Sequence, residues 1–360
     1  MTQLSVAIIG TGTIARIHAE AVAGMGAQAK LVAAADIDAG RLREFCSGYG
    51  IPECRGGLAE LLGAAPPDLV HVCTPPGTHA DLAMSCLRAG SSVLVEKPPA
   101  LSLAALQQMA ATEGGAEGPW LATVFQHRFG SGARRLRSMI DSGVLGRPLL
   151  AVCHTAWFRD QAYFDAPWRG RWDTEGGGPT MGHGIHQMDL LGYLLGDWTE
   201  VSALVRRQAR RTETEDLSLA HVTFASGAVA SVVNSVLSPR EESYLRFDFE
   251  RGTVELRHLY GYGDDDWRVT PAPGHEDGVR AAWGAGERGV PSGHRAQFAA
   301  VLRSLRDGTP PPVTSADALR TMSLVAAVYA SAFTGRPVRP ADLGADSPFY
   351  ERMNGSGARW

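Results

Sequence analysis

The chain has 360 residues, which is long for a single compact core and predicts two domains. Its hydrophobic fraction of 44% and charged fraction of 20% are those of a globular protein rather than a disordered or fibrous chain. A formal net charge of −4 provides no basic surface for nucleic acid or anionic membrane, so we expect neither as a partner.

Short β-branched runs alternate with amphipathic stretches from residue 4 to about residue 124. This alternation predicts repeated βαβ units in an α/β domain with a doubly wound parallel sheet. The predicted strands are 6–9, 31–35, 69–73, 93–95 and 121–125, and the predicted helices are 14–24, 41–48, 58–63, 79–89 and 103–112.

The pattern changes after Arg128, where strands follow one another and helices are set apart. This arrangement predicts an α+β domain around a large, mostly antiparallel sheet. Its predicted helices are 133–142, 180–195, 294–306 and 316–333, and its predicted strands are 148–159, 201–206, 218–224, 228–237, 244–250 and 252–257. Because large apolar sheet faces are seldom left in water, we expect a homodimer or homotetramer through this sheet.

The first predicted strand leads through Gly10-Thr11-Gly12-Thr13-Ile14-Ala15 into a helix. Gly10 permits a tight turn, and Gly12 lets the backbone approach a pyrophosphate at the helix N-terminus. Asp36 ends the second strand 21 positions after Ala15, where a carboxylate that binds ribose is expected. Asp36 and Asp38 repel a 2′-phosphate, so we expect NAD(H) rather than NADP(H). The alternative is that Asp36 only caps the next helix.

Lysine is almost absent from the chain: Lys30 and Lys97 are the only two among 34 basic residues. Arg cannot release its proton in a protein, so a drift toward Arg spares Lys mainly where Arg cannot substitute. Lys97 follows the fourth predicted strand, at the sheet edge where doubly wound folds bind their ligands. It is therefore a candidate for proton chemistry, whereas chance retention is a serious alternative for Lys30.

The motifs together resemble the Gfo/Idh/MocA oxidoreductases, which include glucose–fructose oxidoreductase and inositol dehydrogenase. The resembling segments are Gly10 to Ala15, Thr74-Pro75-Pro76 with His79, Glu96-Lys97-Pro98, Trp168-Arg169-Gly170, Gly176-Gly177-Gly178, and His186 with Asp189. The resemblance implies a Rossmann domain, a C-terminal domain with an open-faced sheet, and oxidation or reduction of a secondary alcohol on a sugar, inositol or related polyol. It also implies a cis bond before Pro98. The expected cofactor contacts are Gly10, Thr11, Gly12, Thr13, Ile14, Asp36, Thr74, Pro75, His79, Glu96 and Lys97.

The resemblance gives Lys97 the task of polarising the reacting oxygen and His186 that of taking or returning its proton. An imidazole suits this task because it titrates near working pH, although a helical histidine is often only a satisfied core residue. The chain departs from many relatives at Gly182, where they carry Asp. The adjacent His183 can partly fill this gap or, alternatively, simply face the sheet. No further ligand pattern accompanies His183-x-x-His186, so we expect no metal.

Aromatic and arginine side chains cluster before His186. Flat Trp faces suit a sugar ring, and Arg forks suit a carboxylate or phosphate. We expect substrate contacts from Lys97, Arg128, Trp168, Arg169, His183 and His186. The alternatives are packing at the domain rim for the cluster and a hinge salt bridge for Arg128.

We therefore divide the chain into a Rossmann domain, 1–124, a substrate-binding and oligomerisation domain, 125–340, and a polar tail, 341–360, that we expect to be partly disordered. Five cysteines without a Cys-x-x-Cys pair, and no segment typical of a signal peptide or membrane span, predict reduced thiols in the cytoplasm. Two rival functions stay open: a non-catalytic regulator that senses the dinucleotide, and an NAD-dependent glycosidase.

Overall fold

The computed structural model describes residues 3–63 and 65–357. Its first part alternates strands and helices: β1 (Leu4–Ile9), α1 (Thr13–Ala23), β2 (Ala29–Ala35), α2 (Ala39–Tyr49), β3 (Glu53–Arg55), α3 (Leu58–Leu61), β4 (Leu69–Val72), α4 (His79–Arg88), β5 (Ser92–Val95), α5 (Leu103–Ala111) and β6 (Leu121–Thr123). The strands pair in parallel in the order β3-β2-β1-β4-β5-β6. This order confirms the predicted doubly wound sheet.

The central strands of this sheet are mostly apolar because helices cover both of their faces. Strands β4 and β5 are buried at every position. Strand β3 is different, since all three of its residues are at least partly exposed at the sheet edge. The sequence analysis missed β3 because Glu53-Cys54-Arg55 has no apolar run.

The second part is built on a larger sheet. Its elements are α6 (Ser131–Asp141), β7 (Pro148–Phe158), α7 (Trp172–Glu175), α8 (Pro179–Gly182), α9 (Ile185–Leu195), β8 (Trp198–Arg206), β9 (Leu217–Phe224), β10 (Val229–Ser235), β11 (Leu237–Phe249), β12 (Gly252–His258), β13 (Trp267–Pro271) and α10 (Glu276–Gly284). The strand order is β13-β12-β11-β7-β10-β9-β8, antiparallel except for the β7–β10 pair. The predicted mostly antiparallel sheet is confirmed.

Three helices complete the described chain: α11 (His294–Asp307), α12 (Ser315–Thr334) and α13 (Pro348–Glu351). The residues form two compact units. The first, which we call the nucleotide unit, comprises 1–100, 105–124 and 294–319, and the second, which we call the sheet unit, comprises 101–104, 125–293 and 320–360. Helix α11, placed in the second domain by the sequence analysis, thus lies in the nucleotide unit, where Phe298, Val301 and Leu302 join the apolar core around β1 and α1.

Two further elements differ from the sequence-based expectation. The predicted helix 180–195 is two helices, α8 and α9, with a break at His183 and Gly184. The tail contains the short helix α13, and its Phe349 is only 6% exposed, so this segment of the polar tail is ordered. No helix in the described ranges is long and apolar enough to cross a bilayer.

Candidate functional site

The turn after β1 has the geometry of a phosphate-binding loop. Gly10 has φ +85°, and a Cβ there would lie 2.9 Å from the carbonyl oxygen of Cys73, so only glycine fits. Gly12 precedes α1 without a side-chain cap, and a Cβ there would meet nothing within 4 Å. The N–H groups of Thr13 and Ile14 in the first turn of α1 are therefore exposed to an anion that approaches Gly12. Ala15 is fully buried, as the tight contact after the turn requires.

Asp36 at the end of β2 is an ionised carboxylate with many donors. The Thr11 amide and hydroxyl donate to Oδ2 at 2.7 and 2.8 Å, and the Asp38 amide donates to Oδ1 at 2.9 Å. The Arg41 guanidinium adds Nε to Oδ2 at 3.2 Å and Nη2 to Oδ1 at 2.7 Å. Burial opposes ionisation, but the Arg41 and amide hydrogen bonds outweigh it and hold the pKa of Asp36 well below its ordinary value. Asp36 is therefore a charged carboxylate with a guanidinium partner, Arg41, that was not singled out from the sequence, and its contact with ribose stays a prediction.

The ends of β4 and β5 are braced by His79. Its two ring nitrogens lie 2.8 Å from the carbonyl oxygens of Pro98 and Thr74, and the ring is 1% exposed. Burial lowers the pKa of His79, while the two carbonyl acceptors favour the charged ring. The bond between Lys97 and Pro98 is cis, as the resemblance implied. His79 thus holds the two segments that carry Thr74, Pro75 and Lys97, and its own contact with a cofactor stays a prediction.

Glu96 is enclosed by protein groups in the nucleotide unit. Its side chain is 7% exposed, and Oε1 lies 2.9 Å from His18 Nε2 and 3.3 Å from His294 Nε2. Oε2 accepts the Lys97 amide at 3.1 Å. Neither His18 nor His294 was identified from the sequence. The one signal for a buried polar cluster is His71, which lies within the apolar surroundings of β4. Lys97 is half-buried. The predicted contact of Glu96 with the cofactor is untested, and the enclosed carboxylate indicates a role in holding Lys97.

In the sheet unit, His186 lies in the first turn of α9 beside other imidazoles. Its ring stacks on that of His127, with centroids 5.0 Å apart and planes at 28°. His127 Nε2 contacts the Tyr260 carbonyl oxygen at 2.8 Å, so this nitrogen carries the proton. The Gln187 amide donates to His258 Nε2 at 3.1 Å, and burial lowers the pKa of His258 to about 4. His186 therefore belongs to a cluster of aromatic rings that fixes its orientation.

The glycines before His186 allow very close backbone approaches. A Cβ at Gly177 would lie 2.2 Å from the Tyr329 hydroxyl, and one at Gly178 would lie 1.9 Å from the Glu215 carbonyl oxygen. Glu215 itself is buried and accepts the Gly178 and Thr180 amides at 3.0 and 3.2 Å and the Tyr329 hydroxyl at 2.8 Å. Burial raises the pKa of Glu215 to about 7. The loop Gly176-Gly177-Gly178 thus places the start of α8 against the buried carboxyl group of Glu215.

The break between α8 and α9 also has a steric cause. A Cβ at Gly184 would lie 1.9 Å from Oδ1 of Asn234 in β10, so the backbone passes directly over that strand. The break leaves His183 against the rings of Trp157 and Tyr163, with centroids 5.3 and 5.8 Å away. His183 and His186 therefore contact different sets of aromatic rings. Sequence periodicity did not reveal the break because its cause is a contact with a distant strand.

Arg169 is the centre of the predicted substrate cluster. Its guanidinium lies over the rings of Tyr163 and Trp168, at 3.9 and 4.2 Å from their centroids, and contacts the Tyr163 hydroxyl. Its Nη1 is 3.4 Å from Glu175 Oε1. The same oxygen lies 3.6 Å from the position of a Cβ at Gly182, so Glu175 supplies a carboxylate beside the residue where many relatives carry Asp.

Arg128 forms a buried ion pair. Its Nε and Nη2 donate to the two carboxylate oxygens of Asp189 at 2.8 and 2.6 Å, and Thr321 adds a hydroxyl donor to Asp189 at 2.8 Å. The two charged side chains are 6% and 0% exposed. This geometry favours the salt-bridge alternative for Arg128 over the predicted substrate contact, because its guanidinium fork is already occupied by a carboxylate.

Residues 4–118 match the family model described as an oxidoreductase family with an NAD-binding Rossmann fold, and residues 133–255 match the GFO/IDH/MocA C-terminal domain. D-apiose dehydrogenase of Paraburkholderia graminis is 28% identical over 95% of this chain and 91% of its own length. Myo-inositol 2-dehydrogenase of Thermotoga maritima is 29% identical over 64% of this chain and 68% of its own. The crystal structure of the WlbA dehydrogenase from Bordetella pertussis, in complex with NADH and UDP-GlcNAcA, is 27% identical, covers 94% of this chain and 98% of its own, and has a TM-score of 0.82. With both domain models matched in order along a shared fold, the chain belongs to the Gfo/Idh/MocA oxidoreductase family.

Proposed function

We propose that this protein is an NAD(H)-dependent oxidoreductase that interconverts a secondary alcohol and a ketone on a sugar, inositol or related polyol. The observation that carries the proposal is the position of Lys97, one of only two lysines, directly after β5 of a dinucleotide-binding sheet. The curated relatives that act on apiose and on inositol support the substrate class.

The nucleotide unit fits a dinucleotide. The turn from Gly10 to Ile14 and the N-terminus of α1 would hold the pyrophosphate, and Asp36 would hold the ribose. Thr74 and Pro75 line the sheet edge beside Lys97. When bound, the nicotinamide ring supplies or accepts the hydride. NAD(H) is favoured because Asp36 and Asp38 repel a 2′-phosphate, and Arg41 weakens this preference by neutralising Asp36.

The acid–base work falls to Lys97 and His186. The Lys97 ammonium binds the reacting oxygen and stabilises the negative charge that develops there. His186 takes the hydroxyl proton during oxidation and returns it during reduction, because loss of hydride from an alcohol carbon requires the hydroxyl proton to leave as well. Glu175 supplies the carboxylate that is missing at Gly182, and its contact with Arg169 ties it to the substrate cluster.

The substrate cluster suits an uncharged hydroxylated ring. Trp168 and Tyr163 offer flat apolar faces, and His183 offers a ring nitrogen for a hydroxyl group. The Arg169 charge already has Glu175 as its partner, so this guanidinium does not require an anionic sugar. We therefore expect neutral polyols to be better substrates than sugar acids.

The proposal is tested by following the absorbance of NADH while the wild type and Lys97→Ala are mixed with NAD⁺ and a panel of neutral sugars, inositols and sugar acids. We expect turnover of a neutral polyol by the wild type, loss of turnover in K97A, and largely intact NADH binding in K97A. The exposed Lys30→Ala is the matched control and keeps its activity. Full turnover by K97A refutes the mechanism, and glycoside cleavage without net NADH favours the glycosidase alternative.

Self-association through the large sheet is part of the proposal. Leu204, Leu219 and Val233 lie side by side on neighbouring strands, and Leu204 and Leu219 are 38% and 39% exposed. A second copy of the chain is the occupant that a homodimer or homotetramer requires. Light scattering of Leu219→Asp is expected to show a smaller particle, whereas Ala281→Asp on exposed α10 leaves the size unchanged.

We also propose a cytoplasmic location, in keeping with five cysteines that carry free thiols.

A further inference from the structure

The buried carboxylate of Glu96 is the centre of a polar cluster inside the nucleotide unit. Its Oε1 contacts His18 Nε2 at 2.9 Å and His294 Nε2 at 3.3 Å, and its Oε2 accepts the Lys97 amide at 3.1 Å. The exposure of the His18 and His294 side chains is 0% and 5%. Neither histidine belongs to the predicted site, so the reaction described above leaves them unexplained.

The protons in this cluster follow from the charge of Glu96. Burial opposes its ionisation, but the hydrogen bonds from His18 and His294 outweigh burial and hold the pKa of Glu96 well below its ordinary value. An ionised carboxylate only accepts hydrogen bonds, so both Nε2 atoms carry protons. Burial lowers the pKa of His18, whose neutral ring therefore accepts at Nδ1. The donor there is His71, whose Nδ1 lies 3.0 Å away. The tautomers of His18 and His71 are thereby fixed.

The cluster joins three segments that are distant in the sequence. His18 lies on α1, the helix that begins at the phosphate-binding turn, and His294 begins α11. Phe298, one turn along α11, packs against the rings of both, with centroids 4.8 and 5.7 Å away. The Gln297 amide donates to the Thr123 carbonyl at 2.7 Å and holds α11 at the end of β6. The Lys97 backbone is therefore tied through one carboxylate to both helices.

We propose that Glu96, His18 and His294 form a positioning network that fixes Lys97 for the reaction, and this rests on the function proposed above. The network acts on the backbone of Lys97, because the Glu96 carboxylate accepts that amide while two imidazoles hold the carboxylate in place. Glu96→Gln leaves one side-chain oxygen for three N–H donors, those of His18, His294 and the Lys97 amide, so at least one of these contacts is lost. Glu96, His18 and His294 are positioning residues, since they act through Lys97.

One side-chain atom each of His18, Glu96 and His294 lies within 4.8 Å of the other two, which is close enough for all three to bind one metal ion. A cation would need both Nε2 atoms without protons. The 2.9 Å separation of His18 Nε2 and Glu96 Oε1 is that of a direct hydrogen bond. The geometry therefore favours the network of hydrogen bonds, and metal content is a decisive part of the test.

The scarcity of lysine makes the first test independent of any substrate. Protein labelled with ¹³C and ¹⁵N in lysine gives side-chain NMR signals from only two residues, and exposed Lys30 is a built-in reference. Glu96→Gln and His294→Leu are expected to move the Lys97 signals, while those of Lys30 stay in place. Lys97 signals that superimpose on those of the wild type refute the network, as does one equivalent of tightly bound zinc in the purified protein.

The second test separates positioning from folding by rescue. His294→Leu removes the N–H donor, and kcat is expected to fall about tenfold to hundredfold, because small displacements of a reacting group are costly. KM and the Kd for NADH are expected to change less than about threefold. His294→Gln restores a donor and is expected to recover most of kcat. The positioning role is refuted if His294→Leu and His294→Gln lower kcat equally, or if only KM and Kd change. Turnover that survives in K97A refutes the proposed function instead, whatever the NMR signals show.

Discussion

Glu215 makes the stability of the sheet unit depend on pH. Burial raises its pKa to about 7, from 4.5 in an exposed glutamic acid. The folded state therefore binds this proton more tightly than the unfolded chain does. The stabilisation is fully present below pH 4.5 and is lost as the pH rises through 7. One pKa unit corresponds to about 1.4 kcal/mol, so the wild type loses about 2–3 kcal/mol of unfolding free energy between pH 5 and pH 8 through this group.

Glu215→Gln removes this titration but keeps an acceptor for Tyr329 and Thr180. Its amide cannot accept from the Gly178 N–H, which costs about 1 kcal/mol. We therefore expect E215Q to be less stable than the wild type at pH 5 and to be the more stable protein at pH 8.

The assay is urea unfolding followed by tryptophan fluorescence at pH 5, 6, 7 and 8. Six tryptophans lie in the described part of the sheet unit, so the signal reports mainly on that unit. His258, whose pKa is lowered to about 4, destabilises both proteins equally as the pH falls below 6.5, so its effect cancels in the difference. Wild-type and E215Q stabilities that run parallel from pH 5 to 8 would show that Glu215 does not take up a proton in this range.

Two further predictions concern the break before α9 and the cofactor carboxylate. Gly184→Ala is expected to lower the free energy of unfolding by about 1–3 kcal/mol in thermal unfolding, because the new Cβ meets Asn234. Gly192→Ala is the control: it has open space around it and is expected to raise the free energy of unfolding by up to about 1 kcal/mol. Equal effects of the two substitutions contradict the steric account. Arg41→Ala leaves Asp36 without its cation, so we expect the Kd for NADPH to rise about tenfold more than that for NADH in fluorescence titrations, with exposed Arg43→Ala as the control. Equal changes for both nucleotides would exclude Arg41 from cofactor selection.

The parallel sheet of the nucleotide unit could be predicted because most of its strands are recognisable from their local sequence. β4 and β5 are short, mostly apolar, buried strands, and each is followed by a motif at the carboxyl edge of the sheet. What escaped prediction depends on distant contacts. The break at Gly184 is imposed by Asn234, and the partner of Arg128 is Asp189, 61 residues away.

The candidate site was predicted to the same extent. Gly10, Asp36 and Lys97 could be identified because each follows a strand, and the resemblance supplied His186. The surroundings of Asp36 and Glu96 could not be derived. Arg41 is an ordinary charge on an exposed helix, and His294 is separated from Glu96 by 198 positions. Periodicity carries no information on which buried group will meet a given carboxylate.

The return of α11 to the nucleotide unit affects how the protein is made. Translation delivers residues 1–124 long before 294–319, and residues 125–293 of the sheet unit are synthesised between them. Until Phe298, Val301 and Leu302 emerge, the surface of α1 that they cover remains open to solvent, and the Glu96 carboxylate has only one of its two imidazoles. The apolar core of the nucleotide unit is therefore completed only after residues 294–319 have been synthesised.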